Sequence, residues 1–331
     1  MINVIQLGMG PLGMKMTEFI RQRHGIRTVA AVDPDPEKAG QDIGEMSGDG
    51  TYGVTIRPRL KEALAKMMVP PDVALITTVS DMMRITPQIE ACVEAGLPVV
   101  STCEELFYPW ATAPDLARRI DEAAKANNVA VVGTGVNPGF LMDTLPAQLT
   151  AVCQRVEKIE VHRVQDASKR RIPFQKKIGA GLSPEAFEAK KIDGSLRHVG
   201  LTESMQFIAR QLGWTLDKTE DIIEPVILDE ERTFPDVIVP EGYAAGVLQT
   251  GNGYIGDDLK IKLIFRAAVG EPASYDEIIV HGEPNLRSRI DGGVNGDVAT
   301  CAISVNACQT VLHATPGLHT MATLPMVSNV R

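Results

Sequence analysis

Aromatic side chains are scarce in this chain of 331 residues, at 5%. A core must therefore be assembled mainly from Ala, Val, Ile, Leu and the 13 Met. No run approaches the roughly 18 uninterrupted apolar residues of a membrane-spanning helix. The start, Met1-Ile2-Asn3-Val4-Ile5-Gln6-Leu7-Gly8, has neither a basic segment nor a long apolar one. No secretory signal is visible, and the expectation is a cytoplasmic protein. Positive charge is also in short supply, with 33 basic against 42 acidic residues and a net charge of −9. That balance offers no electrostatic footprint for nucleic acid or an anionic membrane. The cysteines are five, at 92, 103, 153, 301 and 308, with no Cys-x-x-Cys pair and no histidine at ligand spacing. Free thiols are expected, without a disulfide or a metal site. Hydrophobic residues at 44% and charged ones at 23% match a soluble globular chain, and 29 Gly with 21 Pro are too dilute for low complexity. At about 150 residues per domain, the length favours two domains.

The first 135 residues alternate short apolar runs with helical segments. Val4–Leu7, Thr28–Val32, Val73–Thr77, Pro98–Ser101 and Val129–Val132 read as strands without period-2 alternation, as in a parallel sheet covered on both faces. Between the first two, Leu12, Met16, Phe19 and Ile20 repeat at helical spacing, and Gly25 closes that segment. Strand–helix–strand repeats of this length imply right-handed crossovers and a doubly wound α/β domain. After about Asn137 the pattern changes. Leu259, Ile261, Leu263 and Phe265 alternate with Lys260, Lys262 and Ile264, which predicts a strand with one face exposed. Further strands are expected near Lys158–Val164, Ile222–Leu228 and Ile278–Val280. Helices are expected from Ser183-Pro184, with Ser as the cap, over Thr202–Leu212, and from about Asp297 to His313. This half reads as α+β with a largely antiparallel sheet, and the last helix returns to the first domain.

Gly8-Met9-Gly10-Pro11-Leu12-Gly13 fits G-x-G-x-x-G, follows the first strand directly and opens the amphipathic helix. Gly8 permits the tight turn, Gly10 lets the backbone approach a pyrophosphate, and Gly13 lets the helix close on the sheet. The phosphates then meet free N–H groups at the positive helix end. Asp33 ends the second strand, 20 residues past Gly13, where a carboxylate accepts ribose hydroxyls. It repels a 2′-phosphate, and Pro34-Asp35-Pro36 supplies no basic group to neutralise one. NAD is therefore the preferred cofactor. NADP is possible if Arg57 or Arg59 reaches in.

Chemistry in open α/β sheets gathers outside the carboxyl ends of the strands. Thr78, Val79 and Ser80 follow the third apolar strand and are candidates to line a nicotinamide. Glu104 and Glu105 follow the next, within Ser101-Thr102-Cys103-Glu104-Glu105. Such a carboxylate can act as a general base or hold ammonia beside the reacting carbon. The plainer alternative is a carboxylate offsetting a helix dipole. Gly133-Thr134-Gly135-Val136-Asn137-Pro138-Gly139-Phe140 leads out of the last strand, with Asn137 a candidate cofactor contact. The one dense basic run, Lys169-Arg170-Arg171 then Lys176-Lys177, could grip a substrate carboxylate through an arginine, with Arg170 the candidate. For the run as a whole, a solvated loop or subunit contact is the better reading. Of six histidines only His198, beside a helix start, is kept as a candidate substrate contact. No Ser-His-Asp order or G-x-S-x-G elbow points to a hydrolase.

Taken together, GMGPLG, STCEE, GTGVNPGF, VQDASKRRIPFQKKIGAG and the tail GDVATCAISVNACQTVLHATPGL resemble the 2,4-diaminopentanoate dehydrogenases, a group that includes native amine dehydrogenases. The resemblance spans essentially the whole chain. It implies a Rossmann domain over residues 1–136, a substrate-binding and dimerisation domain over 137–296, and a C-terminal helix and tail over 297–331. It also implies interconversion of a primary amine with a ketone plus ammonia using NAD or NADP, in a homodimer. The first Glu of the pair, Glu104, would be the key acid, and Glu105, Val136 and Leu141 would line the pocket. Relatives often carry larger aromatics at Val136 and Leu141, so the pocket here is expected to be roomier. The chain lacks the His-His and Lys-x-Asp-x-Pro-Ser-Gly-Thr signature of dihydrodipicolinate reductases, which share the fold. Two alternatives stay open: a reductase of C=O or cyclic C=N on the same fold, and a non-catalytic NADH-binding sensor.

Overall fold

The computed structural model describes residues 1–168, 170, 172–196 and 198–329. Lys169 and Arg171, two members of the basic run, lie outside the described residues. The chain begins β1 (Ile2–Leu7), α1 (Pro11–Arg21), β2 (Ile26–Val32), α2 (Ile43–Ser47), β3 (Ile56–Arg57), α3 (Leu60–Lys66), β4 (Val73–Ile76) and α4 (Met82–Glu94). It continues through β5 (Val99–Ser101), a 3-10 turn at Glu104–Leu106, α5 (Pro109–Thr112), α6 (Pro114–Ala126) and β6 (Ala130–Gly133). Next come α7 (Thr144–Leu149), β7 (Arg155–Asp166), α8 (Ile172–Lys177), α9 (Pro184–Ile192), α10 (Leu201–Gln211) and β8 (Lys218–Ile227). The strands β9 (Arg232–Thr233), β10 (Ile238–Val239), β11 (Ala244–Ile255), β12 (Asp258–Ala268), β13 (Tyr275–Glu283) and β14 (Leu286–Asp291) follow. The chain closes with α11 (Gly296–Val311) and β15 (Gly317–His319). Two compact units result: Met1–Phe140 with Asn295–Arg331, and Leu141–Val294.

The first unit holds a seven-stranded sheet in the order β15-β6-β5-β4-β1-β2-β3. Every pairing is parallel. β4 is buried along its whole length, which explains its unbroken apolar sequence. On one face Ile5, Leu7, Ala74, Ile76, Val99 and Val131 pack against Met82, Ile85 and Ile89 of α4 and Ile120 of α6. On the other, α11 packs on α1 and on β4, β5 and β6. Cys301 and Cys308, seven residues apart and so on one face of α11, are both fully buried. α1 stops at Arg21, short of Gly25, whose φ of +80° instead serves the turn into β2. Strand order reverses between β1 and β4, and ligand crevices of open sheets form at such a switch point.

The second unit holds a six-stranded sheet, β14-β13-β7-β12-β11-β8. Only β12 and β7 run parallel; the other neighbours are antiparallel. Ile261, Leu263 and Phe265 are buried as the alternation predicts, whereas Leu259 is only half-buried and the face of Lys260, Lys262 and Ile264 is half-buried rather than exposed. Helix α10 packs on β8, β11 and β12. Ser183 caps α9 by accepting from Ala186 N–H at 3.3 Å. A buried ion pair crosses this sheet, Arg163 Nη1 to Asp276 Oδ1 at 2.8 Å. Together the two side chains hold both backbone groups of Val294, whose N–H donates to Asp276 Oδ2 and whose C=O accepts from Arg163 Nη2.

Candidate active site at the strand ends

The carboxyl ends of neighbouring strands in the first unit are joined rung by rung. Gly8 N–H donates to Val32 O, Thr77 N–H to Leu7 O, Thr102 N–H to Ile76 O and Thr134 N–H to Ser101 O, all at 2.8–3.0 Å. The segments Gly8–Gly13, Thr77–Ser80, Cys103–Glu105 and Thr134–Asn137 therefore start from one edge of the sheet.

The three fingerprint glycines separate by what a side chain would meet. A Cβ on Gly13 would stand 1.9 Å from Gly8 O, and one on Gly8, at φ +87°, would stand 2.8 Å from Thr78 Cγ2. A Cβ on Gly10 would meet no protein atom within 4 Å. Gly8 and Gly13 thus build the turn, and Gly10 leaves open space beside it. Pro11 occupies the first helical position, and no side chain caps α1. The first-turn N–H groups, including that of Leu12, are left for an anion. This geometry fits a dinucleotide pyrophosphate. Beneath the turn, the fully buried Gln6 donates from Nε2 to Gly8 O at 3.2 Å and to Thr77 Oγ1 at 2.8 Å. Gln6 was not among the sequence candidates. Its signal was a lone amide inside an apolar strand.

Asp33 is only 6% exposed. Its Oδ2 accepts from Met9 N–H at 2.7 Å, so this carboxylate ties the glycine turn to the end of β2. Its Oδ1 accepts from Asp35 N–H at 3.0 Å. Pro34-Asp35-Pro36 supplies no basic group to Asp33, as expected, but the cation that reaches it is Lys38 rather than Arg57 or Arg59. Lys38 folds back to place Nζ 3.3 Å from Asp33 Oδ2 and 3.1 Å from Asp35 Oδ2. A turn following Pro36, invisible as a pattern, brings it there.

The glutamate pair divides. Glu105 Oε2 accepts from Met82 N–H at 2.8 Å, at the start of α4, and Glu105 N–H donates to Ser80 O at 3.3 Å. Glu105 therefore stitches the Thr78–Ser80 loop to the turn after β5, the dipole-offsetting alternative. Thr78 Oγ1 donates to Gln88 Oε1 at 2.8 Å, and Val79 packs on the core beneath. Glu104 is half-buried, and among the described residues its carboxylate meets no hydrogen-bond partner. Gly133 sets its position: a Cβ there would stand 2.7 Å from Leu106 C and 2.8 Å from Phe107 N. The Glu104 turn can close on β6 only over a glycine. Val136 N–H donates to Thr300 Oγ1 at 3.3 Å, and both Val136 and Asn137 are buried, next to the cis peptide bond Asn137–Pro138.

In the second unit, Leu141 is buried. The ring of His198 stacks on Phe265 with centroids 4.6 Å apart. Its backbone is clipped by the buried Gln249, which accepts from His198 N–H at 2.7 Å and donates to its C=O at 3.1 Å. Phe174, Lys177, His198, Val247 and Phe265 line one small cavity. The Arg170 guanidinium lies 4.2 Å over the Phe174 ring and donates to Gln165 Oε1 at 3.1 Å. Arg170, Lys177 and His198 are therefore brought around one aromatic wall. Among the described residues, no three His, Cys, Asp or Glu side chains are placed to hold a metal ion.

A doubly wound sheet with an open glycine turn at its switch point defines a Rossmann-type unit, here joined to an α+β unit. The model of the 2,4-diaminopentanoate dehydrogenase C-terminal domain matches residues 140–331, and that of a CoA binding domain matches residues 1–104. The 2,4-diaminopentanoate dehydrogenase of Acetoanaerobium sticklandii is 32% identical over 98% of this chain and 94% of its own length. An amine dehydrogenase of Streptomyces virginiae is 22% identical over 98% of this chain and 97% of its own. The solved amine dehydrogenase of Mycobacterium smegmatis shares the fold with a TM-score of 0.85 at 22% identity, covering 99% of this chain and 97% of that one. This chain belongs to the 2,4-diaminopentanoate dehydrogenase family.

Proposed function

We propose that this protein is an NAD(P)-dependent amine dehydrogenase interconverting a primary amine, 2,4-diaminopentanoate or a simpler one, with a ketone plus ammonia. The observation that carries the reading is the unlike pair of carboxylates after β5. Glu105 is spent on Met82, while Glu104 stands half-buried with no hydrogen-bond partner among the described residues. A nicotinamide cofactor supplies the hydride when bound. Gly8 to Gly13 and Asp33 would hold its phosphates and ribose, with Thr78, Val79, Ser80 and Asn137 toward its other end. Glu104 holds ammonia, takes a proton as it attacks the carbonyl, returns that proton to the carbinolamine hydroxyl as it leaves as water, and stabilises the positive charge on the iminium, whose carbon receives the hydride. Glu105 keeps that turn and the Thr78–Ser80 loop in register. Val136 and Leu141 would shape the pocket, and Arg170 and His198 would meet the substrate. NAD is the preferred cofactor. The assembly is a cytoplasmic homodimer. Its net charge of −9 disfavours nucleic acid as a partner, and no helix among the described residues is long and apolar enough to cross a membrane.

The test is Glu104→Ala. General acid–base help is typically worth about 10²–10⁴-fold, so ketone amination followed at 340 nm should fall by at least about 10²-fold. NADH affinity, read by fluorescence, should hardly change. Glu104→Gln should be nearly as poor, because an amide accepts no proton. Normal amination by both variants would sink the carboxylate mechanism. Turnover without ammonium would favour a C=O or C=N reductase instead.

A further inference from the structure

Asp33 combines two features that pull cofactor choice in opposite directions. It is a nearly buried carboxylate at the end of β2, which repels a phosphate on the neighbouring ribose hydroxyl. It also carries an ammonium group at 3.3 Å, that of Lys38, whose side chain is 26% exposed and has a second carboxylate, Asp35, at 3.1 Å. We propose that Lys38 is a specificity-determining residue that admits a 2′-phosphate beside Asp33, so that one site takes NADP(H) as well as NAD(H). The proposal rests on reading the glycine turn as a dinucleotide site.

Three observations favour Lys38 over the other basic residues nearby. Arg59 is exposed and faces Glu62. Arg57 gives Asp33 only its backbone, accepting from Asp33 N–H at 3.0 Å, and its side chain lines a groove along β2 with Arg27 and Lys66. Lys38 is the cation the structure brings to the Asp33 carboxylate itself. Lysine also suits the task chemically. Its compact ammonium has three donors on a flexible four-carbon stem, so one can stay on Asp33 or Asp35 while another turns to a phosphate oxygen.

The same arrangement serves the unphosphorylated cofactor. Asp33 Oδ2 is occupied by Met9 N–H and Lys38, but Oδ1 accepts only from Asp35 N–H among the described residues. A carboxylate oxygen accepts two hydrogen bonds, so Oδ1 keeps one acceptor position for a ribose hydroxyl. With NAD(H), Lys38 remains on the two carboxylates and Asp33 reads the hydroxyl. With NADP(H), Lys38 offsets the carboxylate and takes the phosphate. The basis is charge balance, since a 2′-phosphate facing Asp33 alone meets only repulsion.

The test needs no turnover. Adenosine 5′-phosphate and adenosine 2′,5′-bisphosphate differ only in the 2′-phosphate, and both are titrated calorimetrically into the intact protein. Lys38→Met should weaken the bisphosphate by about tenfold or more, near 1.4 kcal/mol, while the monophosphate stays within about threefold. Lys38→Arg should keep the bisphosphate within about threefold of the parent, because the positive charge is retained. Equal weakening of both ligands in Lys38→Met would overturn the proposal and leave Lys38 a brace for its loop. So would unchanged affinity for both. If the parent binds the monophosphate but not the bisphosphate, this inference alone fails. If it binds neither, the dinucleotide reading fails with it.

Discussion

The two units hold their functional groups by different means. In the first, the site is mostly backbone: a glycine turn, an uncapped helix end, and loops laddered to neighbouring strand ends. Side chains there act at short range, with Asp33 on Met9 and Glu105 on Met82. In the second, order comes from polar side chains buried within the sheet, Arg163 with Asp276, and Gln249, which reaches the exposed Asp221 and the backbone of His198. A parallel sheet apolar on both faces has room for few such groups, with Gln6 near the end of β1 an example, so its chemistry moves to the strand ends. A mixed sheet with one polar face can take charges inward at a few positions, provided each is paired.

The contrast breaks most visibly at Asp276. Removing it leaves the buried Arg163 uncompensated and Val294 N–H without its acceptor. Asp276→Ala should cost about 3–5 kcal/mol in chemical denaturation, with Arg163→Met plus Asp276→Leu recovering most of it. A loss below about 1 kcal/mol would place the pair in the weak class of surface ion pairs.

The glycines sharpen the comparison from the other side. Gly13→Ala should lose both thermal stability and NADH affinity, since its Cβ meets Gly8 O at 1.9 Å. Gly10→Ala should unfold within a degree or so of the parent but bind NADH roughly tenfold more weakly, about 1.4 kcal/mol. Equal behaviour of the two would remove the distinction between a glycine that packs and one that makes room.

Glu105→Ala should cost about 1 kcal/mol, as for a lost helix cap, and slow amination several-fold rather than about 10²-fold. If Glu105→Ala is dead and Glu104→Ala active, the roles within the pair are reversed. Arg170→Ala should raise KM for a carboxylated amine and leave a simple ketone unaffected; equal effects would assign it to folding.

The smallest effect concerns the thiols. Burial pushes Cys92, Cys301 and Cys308 up to about 12, and Cys103 is buried as well. At neutral pH the native protein should react with a thiol reagent at Cys153 alone, and at all five cysteines when unfolded.

Much of the first unit was legible because its determinants are local. Three glycines at fixed spacing, apolar runs of strand length and a Gly10-Pro11 helix start each act within one turn of chain. The alternation of Ile261, Leu263 and Phe265 with lysines likewise reports a sheet face directly. The Glu104–Glu105 pair was legible as a place, but its division of labour was not. Which glutamate is free depends on α4 starting 23 residues earlier in the chain, at Met82.

The sequence alone thus determined the fold class, the glycine turn and the location of the acidic pair, because periodicity and backbone sterics are carried by adjacent residues. Tertiary structure decided that Glu105 is spent on Met82, that Gln6 props the glycine turn, that Lys38 neutralises Asp33, and that Arg163 and Asp276 meet across 113 residues. Each of these is a hydrogen bond or ion pair effective only over about 3 Å, and chain folding rather than sequence spacing brings its partners within that range.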